Sequence, residues 1–324
     1  MRTLIGPALA GLLALTGVAS AQDFPSRPMT MIIPFAAGGP TDVLGRVMAQ
    51  RMSEILGQQV IVENVGGAGG MVGSARVAQA APDGYTFVLG TVGTHAQNQT
   101  LYKKPRYDAA TDFTPVGLIA EVPIAIIARK DFPAKDLKEF VAYAKANDAK
   151  MQYGSAGAGS ATHLGCVLVN YVLNTNITHV PYSGIGPATT DLLGGRIDFL
   201  CDIITTAKPQ IDGGAVKPIA IMTKQRSPAL PNLPTTAEQG VQNLEAYTWN
   251  ALFLPKGAPA NVVKKLNDAM VQAMKTPAVK EKLEGLGAVL VSDDRTSPEY
   301  LAKFVREEIA KWAAPIKASG VSVD

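Results

Sequence analysis

Two short stretches of this 324-residue chain place glycine and hydroxyl residues just ahead of a helix, the arrangement that builds anion sites. The first is Pro34-Phe35-Ala36-Ala37-Gly38-Gly39-Pro40-Thr41-Asp42, between an apolar run, Met29 to Phe35, and a helical segment, Thr41 to Leu56. The glycines let backbone approach a ligand closely, Thr41 caps the helix or donates its hydroxyl, and Asp42 suits the positive helix end. The unpaired N–H groups of that helix start attract negative charge. The second stretch, Tyr153 to His163, has the same plan, with Ser155, Ser160 and Thr162 as hydroxyl donors and His163 in the first helical turn. Facing each other, the two would hold the two ends of one ligand.

Several other chemistries are disfavoured by what is missing. The first turn lacks the lysine of a phosphate-binding loop and the GxGxxG of a dinucleotide site. Gly66 to Gly73 is glycine-rich, but no acid follows about 20 residues later, so it reads as a flexible turn with one face near a cleft. Three histidines, His95, His163 and His179, are isolated from one another, and no paired-ligand spacing accompanies them, so neither a metal nor a cofactor is expected. A hydrolase would have to assemble Ser160, His163 and Asp202 from separate segments, which makes an enzyme the weaker reading.

Strand-like and helix-like segments alternate along the chain, as in parallel βαβ units. One series runs from Met29 to Gly90, and a second from Ile124 to Met222 repeats its architecture. Connecting regions at Gly117 to Pro123 and at Thr223 to Glu245, the latter with Pro228, Pro231 and Pro234, separate them; Trp249 to Leu254 and two helical segments close the chain. The expected fold is α/β and two-lobed, each lobe a mainly parallel sheet flanked by helices. Residues 22–122 with 247–324 form lobe one and 123–246 lobe two, and the ligand lies in the cleft between them. Parallel strands present ligands beyond their carboxyl ends, which adds Thr91, Thr94, His95, Tyr182 and Asp202 to the expected site.

Residues 1–21 read as a secretory leader: Arg2, an apolar run from Leu4 to Val18, and Ala19-Ser20-Ala21 before the cut. Removing them lowers the formal charge from +3 to +2, a balance with no electrostatic footprint for nucleic acid. Two cysteines, Cys166 and Cys201, remain in the exported chain; an oxidising compartment favours a disulfide over two buried thiols.

The motifs PFAAGGPTDVLGRVMAQRM, VIVENVGGAGG, APDGYTFVLGTVGTHAQN, YGSAGAGSATHL, HVPYSGIGPATTDLLGGRIDF and RSPALPNLPTTAEQG occur in the order in which they mark the Bug family, and the resemblance spans the mature chain. Bug proteins are periplasmic solute-binding components of tripartite tricarboxylate transporters, with a clamshell of two α/β lobes. The resemblance implies a monomer that binds a small carboxylate and docks on membrane permease subunits. It implicates Ala37, Gly39, Thr41 and Asp42 on one side and Ser155, Ser160 and Thr162 on the other, with Asp202 and Tyr182 in the pocket. It also implies that Cys166 bonds to Cys201. Facing cradles favour a dicarboxylate; Phe35 and Tyr182 either flank a flat ring such as terephthalate or simply pack, so aliphatic and aromatic diacids both stay open. A sensor docking on a histidine kinase is the rival binding role.

Overall fold

The computed structural model describes residues 24–323; the leader and its cleavage point lie outside the described residues. The first βα series comprises β1 (Met29–Ile33), α1 (Pro40–Leu56), β2 (Val60–Asn64), α2 (Met71–Ala78), β3 (Thr86–Thr91) and α3 (Asn98–Leu101). A long strand, β4 (Phe113–Arg129), leads to α4 (Leu137–Asn147), β5 (Gln152–Ser155), α5 (Ala161–Leu173), β6 (Thr178–Pro181), α6 (Ile185–Leu193), β7 (Phe199–Ile203), α7 (Ile204–Asp212) and β8 (Val216–Ile221). The chain returns as β9 (Tyr247–Pro255), followed by α8 (Ala260–Lys275), α9 (Pro277–Gly285), β10 (Val289–Leu290) and α10 (Pro298–Ala318).

All ten strands belong to one sheet, ordered β2-β1-β3-β9-β4-β7-β5-β6, with β8 and β10 pairing to β4. Both ends are parallel; β1, β3 and β7 are mostly apolar and buried, as expected of strands covered on both faces, whereas the short β5 is Gln-Tyr-Gly-Ser. The centre, where β9 and β4 run antiparallel to their neighbours, joins the two halves. The expected connecting region at Gly117 to Pro123 is corrected here: these residues are inside the 17-residue β4. Gly117 and Pro115 are accommodated by a register shift against β9, so residues that usually break a strand bend this one instead. Between Met222 and Ala246 the proline-rich return has no helix or strand of its own, as its composition indicates.

Cys166 on α5 is bonded to Cys201 on β7, Cα atoms 5.5 Å apart and 35 residues separated in sequence. Closing a loop of that length removes chain entropy worth about 4 kcal/mol in the loop-closure picture. The bond fixes α5, whose first turn faces the cleft, to the strand ending beside it. On the opposite face of β9, Trp249 packs on Phe304 of α10 and donates its indole N–H to buried Glu308 at 3.0 Å.

Candidate ligand-binding cleft

The first turn of α1 is built by Gly39, extended at the N-cap position, and Pro40, whose fixed φ suits the first helical position. Proline has no N–H, so the free amides there belong to Thr41 and Asp42. The Asp42 side chain turns away from them. Its Oδ2 accepts from Gly38 N at 2.8 Å and Arg46 Nε at 3.0 Å, and its Oδ1 accepts from Asn64 Nδ2 at 2.9 Å. Burial opposes its charge, but these donors outweigh burial and hold the carboxyl below its ordinary pKa. Among the described residues the hydroxyl of buried Thr41 has no hydrogen-bond partner.

The α5 turn is wired differently. Ser160 caps the helix, accepting from His163 N at 3.2 Å, and lies 3.0 Å from Thr162 Oγ1, which itself accepts from Ala156 N at 2.9 Å. Ser155 Oγ accepts from Gly157 N at 3.0 Å and lies 2.6 Å from His179 Nε2. His163 Nδ1 accepts from Gly159 N at 3.1 Å, and the His163 and His179 rings stack at 4.1 Å. Burial depresses their pKa values to about 3 and about 4, with the neighbouring ring adding to the shift of His163, so both are neutral at physiological pH. The free amides of this turn are those of Ala161 and Thr162.

Between the two turns lies a narrow cavity. One wall is Phe35, Gly39, Pro40 and Thr41, with Thr91 at the end of β3; the other is Ala156, Ser160, Ala161 and Thr162. Ile185 and Ile203 complete the lining, and none of these side chains is charged.

Six of the residues expected at the site therefore meet around one cavity: Phe35, Gly39, Thr41, Thr91, Ser160 and Thr162. The others stand behind it or face away. Ala37 is exposed. Asp42 braces the first turn, and Ser155 and His163 brace the second. Thr94 is buried in a turn, bonded to Thr91 N at 2.9 Å. His95 is corrected from cleft to core: it stacks on Phe253 at 3.9 Å, on the sheet face that carries Trp249. Burial drops its pKa to about 3. Tyr182 is tied to α6 through Asp191 Oδ2 at 2.8 Å, and burial with that carboxylate lifts its phenol to about 12. Asp202 is fully buried beside Ile203; its Oδ1 accepts from Ile203 N and the Thr206 hydroxyl, its Oδ2 has no partner, and burial raises its pKa to about 7. No hydrogen bond joins the Ser160, His163 and Asp202 side chains to one another among the described residues. Ile185 and Ile203 were not expected, although Ile185 lies within a recognised motif and Ile203 follows Asp202.

The halves touch around the cavity. Tyr102 donates its hydroxyl to Ala158 O at 2.8 Å. Gly66 to Gly73 is no free turn: a Cβ on Gly69 would sit 2.1 Å from Ala158 O, and one on Gly93 would sit 2.7 Å from Gly159 O. The backbones meet where only glycine fits.

Residues 44–321 match the tripartite tricarboxylate transporter family receptor, TctC. The chain belongs to this family. The receptor is 41% identical to the periplasmic binding protein BugD, with a TM-score of 0.90 over 92% of this chain and 99% of that one. It is 40% identical to MatC from Rhodopseudomonas palustris, solved with bound malate, at a TM-score of 0.88 over 90% of this chain and 100% of MatC. An R. palustris protein solved with adipate is 36% identical, with a TM-score of 0.88 over 93% of the receptor and 99% of that chain. The receptor is thus a solute-binding protein of the Bug type, with the two-lobed fold of periplasmic binding proteins.

Proposed function

We propose that this receptor captures a small aliphatic dicarboxylate between lobes formed by residues 22–122 with 247–324 and by 123–246, and delivers it to the permease of a tripartite transporter. The observation that carries the reading is the uncharged cavity between two helix starts. Thr41 and Asp42 amides on one side and Ala161 and Thr162 amides on the other offer neutral donors to a carboxylate, reinforced by the positive ends of α1 and α5. Malate and adipate in two relatives support the aliphatic choice.

Ligand capture then works as lobe closure. A bound carboxylate makes hydrogen bonds to both turns only when the Gly69 and Ala158 backbones meet, so binding shifts the population toward the closed form. Donors without a basic clamp allow release at the permease.

A thermal-shift screen tests the reading. Malate, adipate or succinate should raise the melting temperature by several degrees at 1 mM. A panel in which no diacid shifts it, or in which only terephthalate does, contradicts the aliphatic assignment.

A further inference from the structure

Behind the cavity, β9 carries two polar side chains that nothing in the protein satisfies. Asn250 Nδ2 and Thr248 Oγ1 are buried without hydrogen-bond partners, their residues 3% and 1% exposed. Buried polar groups in native proteins are nearly always paired with protein, water or ligand. Two orphans two positions apart on one strand call for a partner from outside the protein, water or ligand.

The strand register says where they point. Asn250 pairs directly with Thr91, so the two side chains share a face, and Thr91 lines the cavity. Thr248 pairs with Val122, two residues before Ile124, which pairs with the cavity residue Ile203. Thr91, Asn250, Thr248 and Ile203 thus follow one another across the same side of the sheet. The opposite side of β9, with Trp249 and Phe253, is closed by α10 and His95. The two unsatisfied groups lie on the same side of the sheet as the lining residues Thr91 and Ile203, next to the cavity's lining without being part of it.

We propose that Asn250 and Thr248 form a floor subsite that takes the second carboxylate of a diacid whose first carboxylate sits on the α1 and α5 turns. An amide N–H and a hydroxyl are the donors a carboxylate oxygen needs, and they carry no charge that would trap it. The subsite rests on the carboxylate reading and adds to it a reason for choosing diacids over monoacids.

Titration calorimetry of the Asn250→Leu/Thr248→Val double variant with adipate and hexanoate tests this, because both replacements keep the branched shape of the side chain while removing the donors. Wild type should prefer adipate at least 100-fold. The double variant should lose at least 20-fold of that preference while holding hexanoate within threefold of wild type. Its ligand-free melting temperature should equal or exceed wild type, since the orphans are gone. If the double variant is unstable, Thr248→Val alone should lower the preference at least threefold. An unchanged preference in the variants, or equal losses for both acids, overturns the subsite. Wild type that binds hexanoate but shows no preference for adipate also overturns it, whereas wild type that binds neither acid overturns the carboxylate reading and the subsite with it.

Discussion

The α1 and α5 turns share a sequence plan of strand, glycines and helix start, yet they spend their side chains differently. In the α1 turn a charged group, Asp42, is folded backward onto Gly38, Arg46 and Asn64, leaving the Thr41 hydroxyl free at the cavity. In the α5 turn the hydroxyls of Ser155, Ser160 and Thr162 already serve the loop itself, with His179 and His163 behind them. The first turn leaves a side-chain donor unpaired at the cavity; the second spends its hydroxyls on hydrogen bonds within its own loop. A resemblance between motifs therefore does not transfer one residue's role to its counterpart.

The sharpest way to break this picture is at the contact between the halves. Gly69→Ala places a methyl group against Ala158 O only in the closed form, so diacid affinity should fall by more than about 100-fold, a cost above roughly 2.7 kcal/mol. Opening relieves the clash, so the melting temperature without ligand should fall only by what alanine costs at the left-handed φ of +59° at residue 69, about 1–2 kcal/mol. Unchanged affinity would mean that ligand binding does not need the observed contact.

The contrast between the turns is sharpened by one substitution in each. Thr41→Val should weaken binding about tenfold, with little change in stability, since it removes a hydroxyl that has no protein partner. Ser155→Ala strands the Gly157 amide and His179 Nε2, and should cost about 1–3 kcal/mol of stability along with affinity. Calorimetry and chemical denaturation on the pair separate the roles; equal stability losses in both would erase the distinction.

A smaller effect concerns Asp202, whose pKa is raised from 3.8 to about 7 by burial. The folded protein keeps this proton over a range where the unfolded chain has released it. Its contribution to stability is therefore full below about pH 4 and lost as pH rises toward 7. Asp202→Asn should melt higher than wild type at pH 8, with the gap shrinking toward pH 4. A gap that does not vary with pH would contradict the buried, proton-holding carboxyl.

Much of the architecture was readable because burial on both faces makes parallel strands continuous apolar runs, as in Met31, Ile32 and Ile33. The crossing strand β4 was not, since Gly117 and Pro123 look like punctuation until β9 is seen alongside them. For the site, strand-end position predicted proximity but not direction. Thr91 and His95 are four residues apart, yet Thr91 lines the cavity and the His95 ring packs on Phe253. Ile185 and Ile203 carry no chemical signal, so only packing could place them. Asn250 is equally silent in sequence, and it is its register with Thr91 that gives it meaning.

A crystal structure of the receptor with adipate measures where the ligand's first carboxylate lies. Its oxygens should accept hydrogen bonds of about 2.7–3.2 Å from the amides of both the α1 turn, at Thr41 or Asp42, and the α5 turn, at Ala161 or Thr162, with the Gly69 and Ala158 backbones in contact. A carboxylate held by one turn alone, or by a lysine or arginine side chain outside this cavity, would contradict this placement.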